Sequence, residues 1–451
     1  MRIKQRLEDF RVRELLRPDY VTATGEWRVY RVTKKKMTSM EAATALAREA
    51  GVSASEVSMA GFKDRQGITV QHMTVRRGRE VLVAARDIKI EAIGFAESEL
   101  TSHDSEGNAF EVVVRGLDRV DLETLRANVQ PVRDEGVINY FDEQRFGNLR
   151  HGQGWIALDL LQGEHEKALK MLIGTPSVAD DPKTKAFRTA LHHAWGDWAA
   201  CRDIAGRFGQ HHSVFEYLKK NPDDFAGSFF HLASRLRLIH LYAYQSHLWN
   251  RAVANLVRAR TERGERLVVD SEEGPLLYPV SSAKLADLGA TFRLPGPGLE
   301  DVTHAEQRRA LEEVLARDKV AASDFDIRGV SGFQLKGEDR ALFVQPGHLR
   351  VRPAEPDQEN PPYSSVKLRF DLPRGAYATL VVRRLLARPL SERDVSEGEL
   401  GEIAPPELGP APRERDDFGR GYGNRSEAPR GFHRDGGDRA YRPRSEDGGE
   451  R

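Results

Sequence analysis

A single cysteine, Cys201, stands among 451 residues, which excludes an intramolecular disulfide and any zinc site built on clustered thiolates. One thiol fits a reducing compartment, so the cytoplasm is the expected location. No apolar run approaches the roughly 20 residues that a membrane-spanning helix needs. The opening residues alternate Arg2, Lys4 and Arg6 with Glu8 and Asp9 and lack the apolar core of a signal peptide. Also missing are the G-x-x-x-x-G-K-[ST] phosphate loop, the G-x-G-x-x-G fingerprint and the H-E-x-x-H zinc motif. The paired histidines at 192–193 and 211–212 point in different directions on any regular element and form no ligand set. Excess charge of either sign is absent too: 69 basic residues balance 69 acidic ones. Any surface for a nucleic acid must therefore be local. The cations crowding the first 36 residues suit such a surface or an ordinary solvated face equally well.

What is present is a soluble-protein composition, 39% apolar, in a chain long enough for two to three domains. Mixed apolar and charged residues over 26–32 predict a half-buried strand. Thr38 and Glu41 have capping-box spacing, apolar residues then recur at helical intervals, and Gly51 ends the run. Strands are predicted over 69–75 and 110–115, and a helix over 121–128. After residue 147 helical patterns dominate, the strongest over 235–258, followed by a strand-like piece at 267–269, Gly- and Pro-rich loops near 294–298 and a helix near 304–318. Val366, Leu368, Phe370 and Leu372 alternate as a strand should, and 376–387 reads as helix. From about residue 398 apolar periodicity gives way to Gly, Arg, Asp, Ser and Pro, which predicts a disordered tail.

Two stretches carry chemistry. In Ala60-Gly61-Phe62-Lys63-Asp64-Arg65-Gln66-Gly67, one carboxylate lies between two cations on a glycine-framed turn ahead of a strand. Asp64 is the candidate catalytic residue, although a carboxylate at such a place also serves simply to cap a turn. In Asn139-Tyr140-Phe141-Asp142-Glu143-Gln144-Arg145-Phe146-Gly147, a ring could support an unstacked base while the amide reads its edge. A core aromatic pair is the competing role, and Arg145 and Gln144 could hold phosphate or orient the site.

These stretches belong to an ordered set. Glu8-Asp9-Phe10-Arg11-Val12-Arg13-Glu14 resembles E-D-F-x-V-x-E, and Ala60 to Asp64 resembles A-G-x-K-D, with Thr69 and Gln71 following. Gly107-Asn108-Ala109-Phe110 through Arg115 resembles G-N-x-F-x-x-x-x-R, and 139–147 resembles N-Y-F-G-x-Q-R-F-G. Tyr244 to Asn250 resembles Y-Q-S-x-L-x-N, and Leu372 to Thr379 resembles L-P-x-G-S-Y-A-T. In this order the motifs resemble the TruD family of tRNA pseudouridine synthases over nearly the whole chain before the tail.

The resemblance implies an α+β fold: a pseudouridine synthase catalytic domain with a bent, mixed, mainly antiparallel sheet. It places the first part of that domain at 1–150, a family-specific inserted domain at 151–345, the return segment at 346–397 and the disordered tail at 398–451. It implies isomerisation of uridine to pseudouridine in tRNA, at position thirteen of the D-arm, with Asp64 catalytic and no metal or organic cofactor. Phe141 would line the uracil pocket beside Asn139, Lys4 would pair with Asp64, and Phe10, Lys63 and Arg145 complete the candidate substrate-binding set. tRNA is the expected partner, with other RNAs as further candidates; DNA and membranes are not expected, and a monomer is. Departures from the pattern are Asp142 for glycine, Gln66-Gly67-Ile68 for R-A-V, Ala376 for serine, and Arg383 with Arg384 for an Arg-Glu pair. Asp142 and the altered loop leave a second reading open, a non-catalytic RNA-binding or RNA-folding protein on the same scaffold.

Overall fold

A mixed sheet of eleven strands organises the computed structural model, which describes residues 1–146, 154–177, 180–327 and 337–389. Eight strands run in the spatial order β7 (Gly347–Val351), β8 (Ser364–Pro373), β6 (Ser105–Leu117), β1 (Phe10–Leu16), β3 (Ile68–Arg76), β2 (Trp27–Lys35), β5 (Ile88–Ala96) and β4 (Leu82–Ala84). Every pairing along this path is antiparallel except β1 with β3. The α+β class and the mixed, mainly antiparallel sheet agree with the sequence expectation. Alternation sorts the side chains: β1 buries Phe10, Val12 and Glu14 and exposes Arg11 and Arg13, as a strand of period two must when one face packs.

Helix α1 (Ser39–Ala50) covers part of the buried face. Its capping box is formed as predicted: Glu41 N donates to Thr38 Oγ1 at 3.1 Å and Thr38 N to Glu41 Oε2 at 2.6 Å. Gly51 ends it in the left-handed conformation, φ 74°. Ala42, Ala43, Leu46 and Ala47 pack against Tyr30, Val32, Met73 and Val75 of the sheet; burying Leu46 alone contributes about 1.5–3 kcal/mol. Helix α2 is longer than the predicted 121–128, running Arg119–Glu135 through Pro131. Val132, fully buried just past the proline, keeps that last stretch packed.

A run of helices follows in sequence, dominated by α3 (Ser234–Arg260), with Ala305–Arg317 helical close to its predicted bounds. The segments flanking this region pair with each other, Val137–Ile138 antiparallel to Phe343–Val344. One apolar core continues from Val112 and Val114 of the sheet to Leu248, Trp249 and Val253 of α3. Helix α4 (Ala378–Leu385) and the short strand Arg388–Pro389, antiparallel to Leu267–Val268, close the described part. Gly147, His151 and the tail from 398 lie outside the described residues.

Candidate functional site

Asp64 sits on the loop that feeds β3, beside the start of β1. Gly67 makes this approach possible: it adopts φ 126°, and a Cβ there would lie 2.6 Å from the Phe10 carbonyl oxygen, so only glycine fits. Gly61 has no such demand, with open space around its Cβ position. The loop is pinned from below by Lys34, at the inward end of β2 and 1% exposed. Its Nζ donates to the backbone carbonyls of Asp64 at 2.6 Å, Met37 at 2.8 Å and Lys63 at 3.3 Å. Burial pulls the Lys34 ammonium down to about 8, partly offset by the negative charge of Asp64. Lys63 N donates to Ser39 Oγ, at the start of α1, at 2.9 Å, and Ser39 Oγ to Gln71 Oε1 at 2.8 Å.

Each carboxylate oxygen of Asp64 is held by a different segment. Lys4 Nζ lies 3.0 Å from Oδ2 and 4.2 Å over the Phe10 ring. Gln144 Nε2 donates to Oδ1. Lys4 takes a left-handed backbone, φ 62°, a conformation costly for a residue with a β-carbon and kept only where its surroundings enforce it. The enforcing contacts are visible. Arg115 donates to both oxygens of Asp9, at 2.7 and 2.8 Å, and to Asp357 Oδ1 at 2.9 Å, and Asp9 also accepts Arg6 N at 2.7 Å. This fixes the short turn joining Lys4 to Phe10. Burial pushes the Asp357 carboxyl up, but bonds from Asn360, Gly116, Glu359 and Arg115 outweigh it and hold the group at about 2.

Lys63, adjacent to Asp64 in sequence, turns away from it. Its Nζ lies 2.9 Å from Glu14 Oε1 and donates to Asn108 Oδ1 at 2.9 Å. Glu14 accepts His72 N at 2.8 Å. Burial raises its carboxyl, yet His72 and the Lys63 cation together hold it below the ordinary carboxylate value. Lys4, Phe10, Asp64, Asn108, Gln144 and Tyr377 line a cavity of ≈ 190 Å³.

Asn139, Phe141 and Arg145 line a different cavity, of ≈ 730 Å³, together with Arg340 and Arg374. Asn250 of α3 fixes the Phe141 backbone at both ends, accepting from its N at 2.9 Å and donating to its O at 2.8 Å. The Arg340 guanidinium lies 3.9 Å over the Phe141 ring and donates to Asn139 Oδ1 at 2.8 Å. Arg145 Nε donates to Ser246 Oγ at 3.1 Å. The two cavities meet in sequence on one short turn, Glu143–Phe146, where Gln144 faces Asp64 and Arg145 faces the Phe141 side.

Asp142, the departure most suspected of disturbing this region, is buried and accepts from Thr379 Oγ1, with Arg383 3.8 Å away. Residue 142 is not among those with positive φ, so the turn does not require the glycine that the motif usually has. Three contributors to the geometry were not among the candidates read from sequence: Lys34, Glu14 and Arg340; Gln144, read as able to hold phosphate or orient the site, meets Asp64. Lys34 and Glu14 had a usable signal. Each continues an inward alternation of apolar residues, Tyr30-Val32-Lys34 and Phe10-Val12-Glu14, and so marks a buried charge.

Comparison with known proteins gives one family throughout. The family model for tRNA pseudouridine synthase D (TruD) matches residues 1–385. The tRNA pseudouridine synthase D of Leptospira interrogans is 26% identical over 394 residues, covering 86% of this chain and 96% of that protein. That of Aquifex aeolicus is 27% identical over 399 residues, covering 85% and 98%. The crystal structure of a putative tRNA pseudouridine synthase D from Methanosarcina mazei superposes with a TM-score of 0.64 at 26% identity, over 86% of this chain and 94% of that one. With its motifs, its sheet and this family match in agreement, the chain belongs to the TruD family of tRNA pseudouridine synthases.

Proposed function

We propose that this enzyme isomerises uridine to pseudouridine at position thirteen of the tRNA D-arm, with Asp64 as the catalytic carboxylate and no metal or organic cofactor. The observation that carries the assignment is the triple hold on Asp64. Lys4 and Gln144 take one carboxylate oxygen each, while Lys34 takes the backbone carbonyl. A carboxylate that only capped a turn would bond to nearby backbone N–H groups; this one faces a cavity and is fixed by side chains from three distant segments.

The chemistry needs little else. The N1–C1′ bond breaks, the base turns, C5 bonds to C1′, the C5 proton leaves and N1 ends protonated. Atoms and electrons balance within the nucleotide, so no oxidant or reductant is called for. Asp64 acts either by attacking C1′ or by removing a ribose proton to give a glycal, and Lys4 balances its charge in both routes. The target nucleotide is flipped from its stack before reaction. Asn139 then reads the base edge and Phe141 supports its face, with Phe10, Lys63 and Arg145 as further substrate contacts. Because Arg340 already occupies the Phe141 ring, a base resting there must take over that place. Exclusion of water by the bound RNA would keep the ribose C1′ from being hydrolysed to an abasic site while the base is detached.

Asp64→Asn should abolish tritium release from C5-labelled uridine in tRNA while leaving tRNA binding within about twofold; release at the wild-type rate would refute the assignment. The reading as a non-catalytic RNA binder drew on Asp142 and the altered loop after Asp64; the Asp142 carboxylate is buried and engaged by Thr379 and Arg383, and Gly67 of that loop fits closely against the Phe10 carbonyl.

A further inference from the structure

The active-site loop and the buried halves of β1, β6 and β8 lie on one face of the sheet. The opposite face, built from the alternate residues of the same strands, is solvent-exposed and dense in cations. Register places Arg350, Arg369, Glu111 and Arg11 in one row across β7, β8, β6 and β1. Lys367 and Arg352 lie to one side of the row and Arg13 to the other. Antiparallel neighbours are about 4.8 Å apart, so the row is a strip roughly 15 Å long.

Carboxylates on this strip are too few to balance it. Glu111 alone receives Arg369 at 2.6 Å, Lys367 at 3.5 Å and Arg11 at 3.9 Å. Asp371 is engaged by His348 at 2.7 Å. Arg13, Arg350 and Arg352 are exposed and meet no carboxylate among the described residues. Glu8 and Glu355 stand at the margin, while Asp9 is already taken by Arg115. Two concavities of ≈ 690 and ≈ 430 Å³ open on this face and share Arg11, Glu111 and Arg369.

Such an excess is notable in a chain whose total charge is zero; evolution of a uniformly basic surface does not explain it. None of the exposed large apolar side chains lies on β1, β6, β7 or β8, which argues against insertion into a lipid surface. Guanidinium groups in a row with unsatisfied donors suit phosphate oxygens.

We propose that this outer face of the sheet is a phosphate-docking surface for the RNA backbone. It would engage a part of the tRNA away from the target uridine and add affinity without touching the reacting base. The proposal rests on tRNA being the substrate, but it is read out by binding and not by turnover. The variant combining Arg13→Ala, Arg350→Ala and Arg352→Ala breaks no ion pair, so the fold should be retained, as a thermal melt will show. Against unmodified tRNA, the slope of log K on log salt should fall by about 2, since each lost phosphate contact removes about 0.7–0.9. Affinity at 0.15 M salt should weaken about tenfold, with kcat at saturating tRNA unchanged. A control combining Arg48→Ala, Arg119→Ala and Arg309→Ala, three exposed arginines elsewhere, should leave the slope within about 0.5 of wild type. An unchanged slope in the first variant, or an equal loss in both, would overturn the proposal. A catalytically dead Asp64→Asn background gives the same binding readout, so failure of the catalytic assignment would be seen separately.

Discussion

Replacing Lys34 with Met should cost activity far more than stability. The substitution keeps an unbranched side chain only one heavy atom shorter and removes its charge and its three donors. The carbonyls of Met37, Lys63 and Asp64 then lose their partner, and each buried acceptor left unsatisfied costs about 1–3 kcal/mol. The loop over 61–66 is half exposed, so water recovers part of this loss and the low end applies. Against it stands the charge itself. An ammonium pulled from 10.5 to about 8 by burial is disfavoured in the folded state by about 3 kcal/mol, a burden that Met does not carry. The two contributions nearly cancel, and Tm should move by a few degrees at most. Asp64, however, loses the bond that fixes its backbone, and a displacement of about 1 Å at a reacting group lowers the rate roughly 10²-fold. Steady-state tritium release should therefore show kcat down about a hundredfold with KM little changed, in a protein whose melting curve remains cooperative. A folded variant with kcat within twofold of wild type would refute the positioning role. So would a loss of stability large enough to explain the lost activity. The wild-type enzyme offers a second check. Below pH 8 Lys34 is charged in both folded and unfolded chains. Between about 8 and 10.5 the unfolded chain binds more protons, so this group's contribution makes stability rise with pH. Activity should fall over the same range, because a neutral amine has two protons for three carbonyls, and this alkaline limb should be missing in Lys34→Met.

Gly67→Ala should destabilise the fold by at least about 2 kcal/mol, whereas Gly61→Ala should be nearly silent; a comparison of the two melting temperatures decides it. Arg115→Ala leaves Asp9 and Asp357 without their cation and should cost about 3–5 kcal/mol in a denaturant titration. Asp357 adds a pH signature: its folded value of about 2 lies below the ordinary 3.8, so its contribution is full above pH 3.8 and lost as pH falls towards 2. In Arg115→Ala that acid limb should shrink. Arg340→Ala frees the Phe141 ring and Asn139 Oδ1; if the base takes over the place of Arg340, KM should change several-fold with little change in the melt, and an unaltered KM would argue against base binding at Phe141.

Much of the molecule was legible from local rules because local rules made it. The Thr38–Glu41 box, the Gly51 stop and the alternation of Val366, Leu368, Phe370 and Leu372 each depend on residues within one turn or one strand of one another. Asp64 became a candidate for a different reason, the ordered motifs that surround it. What stayed hidden depends on pairing between distant segments. The parity of β2 marks Lys34 as inward, but nothing near it in sequence shows that its ammonium meets the carbonyls of the Asp64 loop. Gln144 and Asp64 are 80 residues apart, and nothing in either stretch names the other. Lys63 shows why adjacency is a weak guide: it precedes Asp64 in sequence, yet its side chain turns to Glu14.

The one parallel pairing in the sheet has a consequence for when the enzyme becomes competent. Parallel strands place their entering ends side by side, which is how Lys4 and Asp64, 60 residues apart, come to meet. Strand β3 fits between β1 and β2, so the chain must first complete β2 and α1 and then return to fill the gap. Non-local, parallel pairings of this kind are slow steps in folding. Until β3 has docked beside β1, Asp64 lacks the Lys4 cation, so under the role proposed for Asp64 this one parallel pairing is itself the check on competence.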